Sequence, residues 1–228
     1  MTETGSRPQR LRAGLAGVAA LAFAAAGGGA DAQDVTSSFN SYGVPGLIDM
    51  PTAEMTPDAT LSSTFAAFGG TTRTTLRFQI TPRLSGAFRY ASISDFYPTG
   101  WTAANYYDRS FDLRYQILTE SRYRPSVVVG LQDFIGTGLY GGEYVVATKE
   151  VTPGLRVTGG LGWGRLGSRD PFGSLGTRPA EVLGEGGLPT YDRWFRGDVA
   201  AFGGIAWSPD RHWTLKAEYS SDNYVQER

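Results

Sequence analysis

From residue 60 to residue 220 the chain is written in short runs that alternate apolar with polar or small residues. The clearest run begins at a turn, Val151-Thr152-Pro153-Gly154, and continues Leu155-Arg156-Val157-Thr158-Gly159-Gly160-Leu161-Gly162-Trp163. Leu155, Val157, Leu161 and Trp163 share one face; Arg156, Thr158, Gly160 and Gly162 share the other. A period of two is the signature of a strand with unlike faces. The same turn-and-strand unit recurs after Thr81-Pro82-Arg83 and after Ser208-Pro209-Asp210. Nine strands are predicted, over 60–68, 73–80, 84–93, 110–117, 126–132, 142–149, 155–163, 198–207 and 213–220. Repeated hairpins of this kind predict an all-β, antiparallel up-and-down transmembrane β-barrel.

The connections fall into two sets. Those around Pro82 and over 119–125, 150–154 and 208–212 are compact, whereas the alternate set is mostly longer, over 94–109, 133–141 and 164–197, with only 69–72 short. Short turns at one end and long loops at the other are the asymmetry of outer-membrane barrels, with the long loops outside. Alternation by itself does not say which face meets lipid, because a soluble barrel would turn the same apolar face inward. Tyr90, Tyr115, Trp163, Trp207, Trp213 and Tyr219 stand near strand ends on the apolar face, as in an interfacial aromatic belt.

Composition narrows the classes. Only 41% of residues are hydrophobic, which suits a barrel, where alternate residues suffice, and does not suit a helical membrane protein. The net charge of −1 gives no basic footprint for nucleic acid. The 228 residues include no Cys, so there is no disulfide, thiolate or lipid-acceptor Cys among them. Arg7, Arg10 and Arg12 precede an apolar run and Ala30-Asp31-Ala32, the pattern of a cleaved secretory signal over 1–32. Residues 33–59 are expected to form a periplasmic N-terminal segment before the first strand, and 60–228 the barrel. The Pro- and Gly-rich stretch 42–55 reads as irregular and sharply turning. Nine strands is an odd count where single-chain bacterial barrels are even, so the barrel is expected to be incomplete and to continue past Arg228.

The stretch Tyr42-Gly43-Val44-Pro45-Gly46-Leu47-Ile48-Asp49-Met50-Pro51-Thr52-Ala53 resembles the start of the YjbH family of exopolysaccharide-associated outer-membrane proteins. Residues 107–116 and 129–140 are similar to the same family. The resemblance implies a Gram-negative outer-membrane β-barrel that assists exopolysaccharide production or export. It implies contacts with outer-membrane lipid, extracellular polysaccharide and other proteins of that system. Some members of the family are lipoproteins. It supplies no catalytic residue, cofactor or metal ligand, and none is expected here.

Two groups of residues carry candidate chemistry. Arg77, Arg89, Asp112, Arg114, Glu143, Arg156, Lys216 and Glu218 are expected on the lumen face. They could guide an anionic polymer, or simply pair across neighbouring strands. Phe96, Tyr97, Trp101, Tyr106 and Tyr107 in one long loop, and Trp194 and Phe195 in another, could stack on sugars or pack over the barrel mouth. His212 is the single His, in a turn with no evident nucleophile partner, so an enzyme is not expected. Asp170, Asp192 and Asp198 lack the spacing of a calcium loop. A general porin and a soluble periplasmic binding protein stand as the two other readings.

Overall fold

The computed structural model describes residues 38–95, 105–180, 187–210 and 212–225. Its strands are β1 Leu61–Phe68, β2 Thr71–Thr81, β3 Leu84–Ser94, β4 Asn105–Leu118, β5 Ser126–Gly136, β6 Gly142–Thr152 and β7 Leu155–Gly164. After a 3-10 turn at Arg165–Gly167 come β8 Gly173–Leu175, β9 Leu188–Pro189, β10 Gly197–Trp207 and β11 Leu215–Tyr219. One antiparallel meander runs β1-β2-β3-β4-β5-β6-β7-β10-β11, so the nine predicted strands are present in order. The two short extra strands lie inside the long 164–197 connection: β8 extends along β10 and β9 along β5. The compact turns follow local chemistry. Gly154 takes φ 78, which only glycine adopts freely, and Thr81 Oγ1 accepts from Leu84 N at 3.1 Å.

The two faces of the sheet have opposite character. On β2, Thr71, Arg73, Thr75, Arg77 and Gln79 are buried, while Leu76, Phe78 and Ile80 are 45–49% exposed. Strand β4 repeats this, with Asp108, Ser110, Asp112 and Arg114 buried and Phe111, Tyr115 and Ile117 exposed. Tyr90, Tyr115, Trp207, Trp213 and Tyr219 are exposed as the belt pattern anticipates, but Trp163 is buried against Phe195, with ring centroids 5.3 Å apart.

The sheet curls, and its curvature can be bounded. Gly43 packs directly on Thr64 of β1 and Thr75 of β2, while Leu47 lies on Gly204 of β10 and its neighbour Ile48 reaches Glu218 of β11. Four residues span at most about 14 Å. A flat sheet would hold β1 and β11 about 38 Å apart at the usual strand spacing of about 4.8 Å. The two edges are therefore brought round to face each other. They do not pair among the described residues, so the structure is an open, curled antiparallel sheet and a closed barrel is not formed.

A filled interior as the candidate functional site

Residues 40–56 lie inside the curl, against the inner face of the sheet that follows them. Tyr42, Val44, Leu47, Met50 and Ala53 are all buried. The segment turns tightly because Asn40 organises it: Asn40 Oδ1 accepts from Tyr42 N at 3.0 Å and Val44 N at 3.2 Å, and Asn40 Nδ2 donates to Asp49 O at 2.9 Å. Leu47 N donates back to Met50 O, and Gly43, at φ 79, has no room for a side chain against Thr64 and Thr75.

An irregular segment carries backbone groups that it cannot satisfy itself, and buried ones must find partners. Here the inner face of the sheet supplies them. Glu218 Oε2 accepts from the backbone N–H groups of Ile48, Asp49 and Met50 at 2.9–3.0 Å. Lys216 Nζ donates to Gly46 O at 2.7 Å and Leu47 O at 2.6 Å. Thr75 Oγ1 donates to Tyr42 O, Ser126 Oγ to Ala53 O, and Arg114 to Thr52 O and Glu54 O. Thr148 Oγ1 accepts from Ala53 N at 2.8 Å. Arg156 pairs with Glu54 at 3.1 Å, and Arg77 donates to Thr56 Oγ1 at 2.7 Å.

At the long-loop end the interior is sealed by stacked cations and rings. The guanidinium carbons of Arg165, Arg73 and Arg89 lie 4.1, 4.2 and 5.2 Å from the Tyr42 ring centroid, within cation–π range. Arg89 is held by Asp112 through Nη1 at 2.8 Å and Nη2 at 3.3 Å. Asp112 also accepts from Asp133 N, and Asp133 accepts from Tyr140 N. The chain beyond β11 folds inward as well. Ser221 and Asp222 are fully buried, Asp222 pairs with Arg165, and Tyr224 Oη lies 3.0 Å from Asp49. Burial, and then the Asp49 carboxylate, push the Tyr224 phenol up.

Of the eight expected lumen charges, Arg77, Arg89, Asp112, Arg114, Arg156, Lys216 and Glu218 do occupy the inner face. Glu143 does not. It is in register with Trp163, on the outer side with Leu161, and is buried there because the long loop covers it: Arg178 Nη1 lies 2.7 Å away and Phe195 N 3.2 Å away. Among the expected loop aromatics, Phe96, Tyr97 and Trp101 fall outside the described residues. Tyr106 and Tyr107 belong to β4 rather than to a loop, with Tyr106 buried inward and Tyr107 exposed outward. Trp194 and Phe195 pack edge-on against Phe134 and Trp163, so this loop lies along the wall of the sheet. Tyr42, Arg73, Asp108, Asp133, Arg165 and Asp222 were not singled out from the sequence. Arg73 could have been, since it shares the parity of Arg77. His212 is exposed, with its backbone N bonded to Asp210 Oδ1.

The segment that fills the interior begins where a family match begins. The profile described as "Exopolysaccharide biosynthesis protein YbjH" matches residues 38–228, nearly all of the chain after the N-terminal region. The chain belongs to the YjbH family. A relative from Escherichia coli (strain K12), described as "Uncharacterized lipoprotein YjbH", is 31% identical over 205 residues. The alignment takes in 83% of this chain and 29% of that relative, so the chain spans under a third of the relative's length. No solved structure matches the chain. The YjbH family is linked to exopolysaccharide biosynthesis, and the relative's description as a lipoprotein accords with a place in the Gram-negative envelope.

Proposed function

We propose that this YjbH-family chain forms a strand-built part of the outer membrane whose interior is occupied by its own residues 40–56. It acts without catalysis, as an accessory to exopolysaccharide production or export. One observation carries the membrane reading: the sheet is inside-out relative to a soluble protein. Charged and polar residues are buried on β2, β3 and β4, while apolar residues stand exposed on the opposite face of β1–β4, β10 and β11. In water such a continuous apolar surface is a liability, whereas in a bilayer it is what a spanning sheet requires. The two longest connections, 95–104 and 165–196, leave the same end of the sheet and fit the same setting, with that end at the cell surface.

The filled interior favours a scaffold over a general porin. The inner charges are engaged by backbone groups of residues 40–56 and by one another, rather than lining a water column. In this reading the partners are outer-membrane lipid, the exported polymer and other proteins of its export system. No group of His, Asp and Glu suited to a metal occurs among the described residues.

Fractionation and labelling test the proposal. The protein is expected to leave the envelope only with detergent. A Cys placed at Leu175 should react with an impermeant reagent on intact cells, and one at Asp210 only after the outer membrane is opened. Loss of the full-length protein should lower exported polysaccharide without changing small-solute uptake. Recovery in the soluble periplasm would sink the membrane reading. A stable open-pore conductance from the reconstituted protein would replace the scaffold with a channel.

A further inference from the structure

On the outer wall of β2–β5 the apolar surface is not flat. A groove of about 580 Å³ is walled by Leu76, Phe78, Phe88, Phe111, Phe134 and Ile135, a volume in the range that takes ligands. Its floor exists because Gly86 has no side chain. Gly86 sits in register between Phe78 and Leu113, and a Cβ there would meet only Ile80 Cδ1 at 3.5 Å and Asp112 O at 3.8 Å.

The residues above the groove change character in a fixed order. Moving along β3 and β4 toward the long loops, the outward pairs are Gly86–Leu113, Phe88–Phe111, Tyr90–Arg109 and Ser92–Tyr107. Phe88 and Phe111 are in ring contact at 5.1 Å. One row higher, Arg109 is exposed, with its guanidinium carbon 5.9 Å from the Tyr90 ring, and Tyr90 stacks on Tyr107 at 6.0 Å. A cation against Tyr90, itself stacked on Tyr107, directly above an apolar groove matches a molecule with an acyl chain and an anionic head. The chain would lie in the groove, and the guanidinium would meet a phosphate, which its donor fork fits. Tyrosine at this height is the ordinary interfacial residue.

We propose that this groove and Arg109 form a site for one acylated, phosphorylated lipid of the outer leaflet. The proposal rests on the membrane reading above, and names a particular lipid position on the wall that the reading leaves featureless. In the test, the full-length protein is extracted in mild detergent and examined by native mass spectrometry. The probes are bisphosphorylated lipid A, its dephosphorylated form, phosphatidylethanolamine and inorganic phosphate. The wild type is expected to retain one lipid A through delipidation. Arg109→Gln should cut that retention at least fivefold while leaving dephosphorylated lipid A unchanged. Gly86→Leu, which fills the groove floor, should cut both. Neither change touches the buried interior, so both variants should keep wild-type heat stability. Equal retention by wild type and both variants would overturn the site, as would competition by inorganic phosphate alone. Failure of the membrane reading would look different, as protein in the soluble fraction before any detergent is added.

Discussion

The two faces of β2 are one residue apart in sequence and obey opposite rules. Inward, Arg77 and Gln79 are almost wholly removed from solvent, and Arg77 is held by Thr56 and by Gln79. Outward, Phe78 between them is 45% exposed and touches apolar neighbours in the wall groove. A buried charge is tolerated only when it is paired and hydrogen-bonded, and each of Arg77, Arg89 and Arg114 has at least one named acceptor, although their Nε atoms have none. The outer face needs only to be apolar. Specificity therefore resides inside and solvent matching outside. Substitutions on the two faces should fail in different ways.

The largest effect is expected inside. Arg89→Ala leaves Asp112 buried without its cation and should cost about 3–5 kcal/mol, read as a lowered unfolding midpoint in detergent. Arg83, in an exposed turn, serves as the control, since surface changes usually stay within about 0.5 kcal/mol. Next comes the outer face. Phe78→Lys should cost about 2–4 kcal/mol in a bilayer and much less in water, so the same variant measured in lipid and in urea separates the environments. Glu218→Gln keeps the shape but weakens three charge-assisted bonds to Ile48, Asp49 and Met50. A loss of about 1–3 kcal/mol is expected, with faster proteolysis near residue 48 as its signature.

Much of this contrast was legible in the sequence, and the part that was not has a physical reason. Strict alternation in 110–117 and 155–163 fixed both the strands and their faces, because a shift by one residue would exchange every side chain. Glu143 was misplaced because its neighbours Tyr144, Val145, Val146 and Ala147 are all apolar, so no alternation marks which side is inward. The lumen charges were visible as charges, but not their partners. Lys216, Glu218 and Arg114 bind backbone atoms of residues 46–54, and a backbone carbonyl or N–H has no sequence signature. For the same reason the Pro- and Gly-rich stretch 42–55 reads only as irregular and sharply turning, although its apolar residues Tyr42, Val44, Leu47 and Met50 are core.

The smallest expected effect lies where the residues after β11 meet residues 40–56 inside the curl. Tyr224 Oη bonds Ser220 Oγ at 2.8 Å and Asp49 at 3.0 Å, so Tyr224→Phe should cost about 0.5–1.5 kcal/mol. Because its phenol is pushed up by burial and by Asp49, this contribution is full below about pH 10 and is lost as pH rises through the higher folded value. The variant should therefore show a flatter alkaline limb of stability than the wild type.

The most direct test of the central claim, apolar wall in lipid and sealed interior, uses the absence of Cys from the chain. Single cysteines are placed at Phe78 on the outer face and at Ser85, which is 1% exposed, on the inner face. The protein in liposomes is then treated with a charged thiosulfonate and with a lipid-soluble maleimide. Cys at position 78 should react with the maleimide and resist the charged reagent, and Cys at position 85 should resist both. Rapid modification of position 78 by the charged reagent would place that wall in water, and rapid modification of position 85 would show an interior open to solvent.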